Sequence, residues 1–267
     1  MSCQYESQQK SRHESRHESR HESQDNQFNQ FNHSNQFNHL RHSFDLSIYF
    51  VIGPENVPGN SFRDVVRQAV EGGITFLQVR SKVVSSNELM NSGRIAAEEI
   101  ERAGKQEEIA LVIDDRVDIA LALRHKGIKI DGVHLGQSDL PVDSARQILG
   151  EDAIIGLSAQ SKNLFEYIEN FKPGIVDYFG AGPLRATPTK PDCGLIDGVV
   201  HERTFDDFKK IKSLSPLPVV VGGGVKLKDL PELKATGVDG FFVVSEIASA
   251  ANPLEMTKAL ADLWYKS

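Results

Sequence analysis

Cysteine is almost absent from this 267-residue chain: Cys3 and Cys193 are the only two. One stands in a polar N-terminal segment and the other in an expected loop, so no disulfide framework is implied. Long apolar runs are missing too. No stretch reaches the ~20 residues of a membrane-spanning helix, and the polar N-terminus has no signal-peptide core, so the expected location is cytoplasmic, with no membrane partner. An excess of positive charge is likewise lacking. Lys and Arg number 30 against 37 Asp and Glu, for a net charge of −7. That balance argues against nucleic acid as a partner, and any basic site must be a local one made by folding.

What is present divides unevenly. Residues 1–45 hold six of the nine histidines (His13, His17, His21, His33, His39 and His42). They also repeat Ser-Arg-His-Glu from Ser11, Ser15 and Ser19, and Gln-Phe-Asn from Gln27, Gln30 and Gln36. Such a segment has too little contiguous apolar surface to offset its chain entropy, and a disordered low-complexity tail is expected. Residues 46–267 are expected to form a single domain.

From Leu46 onward, short β-branched or aromatic runs alternate with amphipathic ones. Strands are expected at Ile48–Ile52, Phe76–Val79, Ala110–Ile113, Gly132–Leu135, Ile154–Leu157, Val176–Phe179, Val219–Val221 and Gly240–Val244. Helices are expected near Ser61–Glu71, Ser86–Ala103, Arg116–His125, Val142–Leu149, Lys162–Asn170, Phe205–Lys212, Leu227–Lys234 and Pro253–Trp264. A doubly wound open sheet shares this alternation, but eight βα repeats averaging about 27 residues favour an α/β fold closed into a (β/α)₈ TIM barrel. In that architecture the chemistry lies in the loops after the strands.

The strand ends carry a suggestive set of residues. After the second strand, Gln78, Arg80 and Lys82 share a face if the chain stays extended. Two inward cations there call either for an anion between them or for carboxylate partners. Asp114 and Asp115 end the third strand, and Asp139 follows the fourth. Acids at such places either cap helices or hold a hard cation such as Mg²⁺. His134, inside the fourth strand, reads as a buried histidine satisfied by hydrogen bonds. Ser158 ends the fifth strand with no His–acid pair nearby in sequence, so its hydroxyl reads as a phosphate ligand or a helix cap, not a nucleophile. The stretch from Gly180 to Lys190 collects glycines, Thr187, Thr189 and a cation in one expected loop. Gly222-Gly223-Gly224 and Val244-Ser245 follow the last two strands, where barrels of this kind often hold phosphate. Two anion sites, one with carboxylates beside it, suggest a reaction between two phosphorylated molecules.

These residues resemble thiamine phosphate synthase. The matching pieces arrive in order: Gln78-x-Arg80-x-Lys82, Asp114-Asp115, His134-Leu135-Gly136-Gln137-x-Asp139, Gly156-x-Ser158, Gly182-Pro183, Thr187-x-Thr189-Lys190, Gly223-Gly224 and Val244-Ser245. They span essentially all of residues 46–267. The resemblance implies Mg²⁺-dependent condensation of hydroxymethylpyrimidine diphosphate with a thiazole phosphate, both small-molecule substrates, by dissociative loss of diphosphate. Gln78, Arg80, Lys82, Asp114, Ser158 and Lys190 would hold the pyrimidine diphosphate, with Arg80, Lys82, Ser158 and Lys190 catalytic. Asp115 and Asp139 would bind the metal. Thr187, Thr189, Gly224, Val244 and Ser245 would hold the thiazole substrate. Asp114 departs from the family's usual Asn, and a carboxylate there would repel diphosphate unless it were protonated or turned to the metal. A related thiazole tautomerase would not need the full diphosphate grip, and a phosphate-ligand sensor on the same barrel would bind without releasing diphosphate. A homo-oligomer is compatible with all three.

Overall fold

The computed structural model describes Arg41 and residues 43–57, 59, 61–159, 162–187, 194–197 and 199–267. The expected disordered tail therefore lies almost wholly outside the described residues, as do Thr189, Lys190 and Cys193. The described residues belong to one compact unit, His39–Ser267.

Eight parallel strands close into a barrel: β1 (Ile48–Ile52), β2 (Phe76–Val79), β3 (Ala110–Asp114), β4 (Gly132–Leu135), β5 (Ile154–Ser158), β6 (Tyr178–Ala181), β7 (Val219–Val221) and β8 (Gly240–Val243). Each pairs with its sequence neighbours, and β8 returns to β1. Helices α1 (Phe62–Gly72), α2 (Ser86–Arg102), α3 (Val117–His125), α4 (Val142–Leu149), α5 (Leu164–Glu169), α6 (Phe205–Leu214), α7 (Leu230–Ala235), α8 (Ser245–Ala248) and α9 (Pro253–Lys266) link the strands and follow the last.

The period-two rule of strands sorts the side chains. Phe50, Leu77, Val79, Leu111, Ile113, Val133, Ile155, Phe179, Val221 and Phe241 join the layer between barrel and helices. Tyr49, Val51, Phe76, Ala110, Val112, Ile154, Tyr178 and Val220 fill the barrel interior. Phe44 closes this interior cluster at the strand starts, its ring centroid 5.9 Å from Phe76 and 5.8 Å from Tyr178. Phe44 falls within the stretch expected from the sequence to be tail. Arg41 also docks on the barrel, its Nε 3.0 Å from Asp177 Oδ1. An arginine and a phenylalanine in a polar, repetitive stretch give no local sign that the folded domain has begun.

The strand starts share a second device. A residue just before each even strand accepts a backbone N–H from the first or second residue of the preceding odd one: Thr75 from Ile48 (3.0 Å), Asp131 from Leu111 (2.6 Å), Asp177 from Ile155 (2.7 Å) and Asp239 from Val219 (2.7 Å). Lys129, Arg146 and Lys212 pair with the three carboxylates. This end is built for stability, which leaves the opposite end for chemistry.

Some local expectations differ from the structure. Strand β6 runs two residues later than expected, so Gly180 and Ala181 are strand, not loop. Glycine mid-strand is a weak local signal, and here it is kept by a neighbour: a Cβ on Gly180 would lie 3.0 Å from His134 Cε1. Between β6 and α6 stands an antiparallel pair of two-residue strands, Leu195–Ile196 and Val199–Val200, too short for a pattern to show.

Candidate active site

At the strand ends the barrel opens into a cavity of about 510 Å³. Its lining includes Gln78, Arg80, Lys82, Asp114, Asp115, Asp139, Ser158, Thr187, Gly224, Val244 and Ser245. The fold therefore brings together every described residue to which the resemblance gives a role.

On one wall the cations meet carboxylates. Arg80 Nε lies 3.0 Å from Asp114 Oδ2, and Gln78 Nε2 donates to Asp114 Oδ1 at 2.5 Å. Asp114 is held from below the mouth by a guanidinium and an amide. Lys82 pairs with Asp115. The helix-cap alternative fails for the acids, because α3 is capped at Arg116 and α4 at Pro141, with no side-chain cap at either. Asp115 takes φ 57°, a left-handed backbone uncommon outside glycine, and its N–H donates to His134 O at 2.8 Å. Asp139 Oδ2 accepts from the Gly136 N–H at 2.7 Å, folding its loop back toward Asp115.

Asp115 and Asp139 sit close enough to share a hydrogen bond and to shift one another. Burial works to raise the Asp115 carboxyl, but hydrogen bonds from Asp139 and Lys82 outweigh it and leave it below the usual carboxylate range. Asp139 is pushed upward, by burial first and then by Asp115 beside it. Two carboxylates competing for one proton are a hard-oxygen donor pair that a divalent cation would satisfy. Among the described residues no group of three or more His, Cys, Asp or Glu side chains is set to hold a metal. Mg²⁺ needs only one or two carboxylates when water and phosphate supply the rest, so the pair fits that ion.

The cavity floor is polar in a different way. His134 Nε2 is 3.0 Å from Ser158 Oγ, and its Nδ1 is 3.0 Å from the Tyr178 hydroxyl. The hydrogen-bonded histidine expected from the sequence is what stands there. Ser158 caps no helix: α5 begins after Asn163.

The opposite wall is backbone. Gly223 and Gly224 have φ of 79° and 71°. A Cβ on Gly223 would lie 2.5 Å from Pro183 Cβ, and one on Gly224 2.8 Å from Arg185 Cβ. Glycine is required here because the loop after β6 lies directly on the loop after β7. Leu184 N donates to Gly222 O at 3.1 Å and Arg185 N to Gly223 O at 2.8 Å. Arg185, whose purpose the sequence did not reveal, donates Nη1 to Gly224 O at 3.0 Å and grips Asp229. Lys226 pairs with Glu246 at 2.6 Å, tying the β7 loop to α8 and so to Ser245.

A barrel with a cation–carboxylate wall facing a glycine wall is the arrangement on which the comparisons bear. Residues 48–247 match the model of the family described as thiamine monophosphate synthase. The chain belongs to the thiamine monophosphate synthase family. It is 41% identical over 221 residues to a thiamine-phosphate synthase of Corynebacterium efficiens, covering 83% of this chain and 96% of that one. A thiamine-phosphate synthase of Desulfitobacterium hafniense is 39% identical over 220 residues, 82% of this chain and 98% of the relative. Among solved structures, a thiamine phosphate pyrophosphorylase from Pyrococcus furiosus superposes with a TM-score of 0.67 at 28% identity, over 85% of this chain and 98% of that one.

Within this family member, sequence reasoning missed several residues of the cavity. Tyr49 and Phe242 line it from inside the barrel; Gln137, part of the matched motif but given no role, donates Nε2 to Ser158 O at 2.7 Å. Tyr49 could have been found, since strand alternation puts it on the face of Val51. Lys162 reaches the rim beyond β5 and pairs with Asp197 at 3.9 Å, a contact with no local signal.

Proposed function

We propose that the chain is a thiamine phosphate synthase, joining hydroxymethylpyrimidine diphosphate to a thiazole phosphate and releasing diphosphate. The observation that carries this reading is one cavity with two unlike anion walls in a member of this family. One phosphate substrate needs one such wall; two substrates explain both.

The reaction breaks the bond between the pyrimidine methylene and the diphosphate oxygen, and the bonding electrons leave with diphosphate. The pyrimidine amino substituent stabilises the methylene cation, and the thiazole nitrogen supplies the electron pair of the new C–N bond. No enzyme nucleophile is needed. Asp115 and Asp139 would hold Mg²⁺, which when bound neutralises charge on diphosphate. Arg80, Lys82 and Lys190 add positive charge where it develops, and Ser158 adds a hydrogen bond. Gln78 and Asp114 orient Arg80 and the pyrimidine side of the site. The loop glycines, with Gly224 foremost, let backbone N–H groups approach the thiazole phosphate, with Thr187, Thr189, Val244 and Ser245 around it. Among the described residues no helix is long and apolar enough to cross a membrane, in keeping with a cytoplasmic enzyme acting on small molecules.

The test is to incubate both substrates with Mg²⁺ and follow diphosphate. Release that requires the thiazole phosphate is expected. Binding of both ligands with no release would overturn the enzymatic reading in favour of a sensor.

A further inference from the structure

Beneath the cavity, four side chains form one linear hydrogen-bonded chain. Tyr49 Oη is 2.9 Å from Tyr178 Oη, Tyr178 Oη is 3.0 Å from His134 Nδ1, and His134 Nε2 is 3.0 Å from Ser158 Oγ. Tyr49 is 1% exposed, Tyr178 0% and His134 8%. The backbone is shaped for them. His134, Gly156 and Tyr178 occupy one row across β4, β5 and β6. A Cβ on Gly156 would lie 2.1 Å from Tyr178 Cζ. The glycine therefore lets a histidine and a tyrosine two strands apart meet directly.

The direction of this chain follows from counting protons. Burial holds both phenols well above their ordinary range, so each keeps its proton. Among the described residues, the Tyr49 hydroxyl has Tyr178 Oη as its hydrogen-bonding partner. If Tyr49 donates to Tyr178, then Tyr178 donates to His134 Nδ1 and every proton has an acceptor. In the reverse sense His134 Nδ1–H donates to Tyr178, Tyr178 donates to Tyr49, and the buried Tyr49 proton has no acceptor among the described residues, which is costly. The first arrangement puts the imidazole proton on Nε2, where it donates to Ser158 Oγ. Ser158 then turns its own proton elsewhere, and its residue lines the cavity.

We propose that Tyr49 and Tyr178 fix His134 as the Nε2–H tautomer, and that His134 is a positioning residue that makes Ser158 a donor toward a diphosphate oxygen. This rests on the reading of the cavity as a diphosphate site. The chemistry requires it, because every diphosphate oxygen is an acceptor. A serine that spent its proton on histidine would present only lone pairs to the anion.

Two measurements test it. Nitrogen-15 NMR of the ligand-free full chain, with the His134 signals assigned by their loss in His134→Gln, should show Nε2 protonated and Nδ1 bare. A dominant Nδ1–H form overturns the inference. Calorimetry with inorganic diphosphate and Mg²⁺ should show Tyr178→Phe and Ser158→Ala each weakening binding about five- to tenfold, and the double variant no weaker than Ser158→Ala alone. Additive losses, or no loss in Tyr178→Phe, also overturn it. If the unaltered chain binds no inorganic diphosphate, the site reading fails; an Nδ1–H tautomer in a chain that does bind it defeats only the present inference.

Discussion

The guanidinium of Arg185 grips both carboxylate oxygens of Asp229, at 2.6 and 2.8 Å. Arg185 comes from the loop after β6 and Asp229 from the turn before α7, so this one pair clamps the glycine loop between them. Asp229 is buried, and removing its partner strands a charge. Arg185→Ala is expected to cost about 1–3 kcal/mol, lowering Tm by roughly 2–10 °C in a domain this size. The KM for the thiazole phosphate should rise more than that for the pyrimidine diphosphate. Thermal melts and a two-substrate kinetic matrix check both statements.

The same pair carries a pH dependence. Burial works to raise the Asp229 carboxyl, but hydrogen bonds from Arg185 and the Lys226 N–H outweigh it and hold it below the usual range. A depressed folded pKa contributes stability that is complete above the ordinary carboxylate value of about 4 and is lost as pH falls through the folded value. The Tm advantage of the unaltered chain over Asp229→Asn should therefore be steady from pH 7 to about 5 and shrink below about 4. An advantage that grew in acid would contradict the sign.

Asp114 holds Arg80 from below, and a carboxylate there weakens the pull of that cation on diphosphate. Asp114→Asn keeps the shape and removes the charge. The KM for the pyrimidine diphosphate should fall by up to about tenfold, or about 1.4 kcal/mol. Initial-rate kinetics at saturating thiazole phosphate measure it.

Metal removal should stop the reaction. Activity should vanish in excess chelator and return with Mg²⁺. In Asp139→Asn the half-saturating Mg²⁺ concentration should rise by about tenfold or more. A Mg²⁺ titration of rate in both proteins decides the point.

Lys190→Ala is expected to lower turnover by about 10²–10³ without unfolding the barrel. Single-turnover rates beside a circular-dichroism melt separate the two effects. Normal turnover in a folded variant would remove the leaving-group role of Lys190.

Much of this was written locally. Alternation of β-branched runs with amphipathic segments marks eight strands and their helices, because a strand buried on both faces must be apolar along its length. The rule that chemistry follows the strands then picks out Arg80, Lys82, Asp114, Asp115, Asp139 and Ser158. Where local signals were weak, the reading slipped. Gly180 passes for loop because its reason, the His134 ring 3.0 Å from where its Cβ would stand, lies two strands away.

The sequence by itself determined roughly where the barrel strands run, which residues could carry charge and which glycines were available, since propensity and period depend only on neighbours along the chain. Pairing was decided by the tertiary structure alone. Closing the barrel set Asp114 beneath Arg80, Arg185 against Asp229 and Tyr178 beside His134, contacts that join residues 34, 44 and 44 positions apart. Such pairs obey distance and hydrogen-bond supply in three dimensions, and no local rule along the chain encodes them.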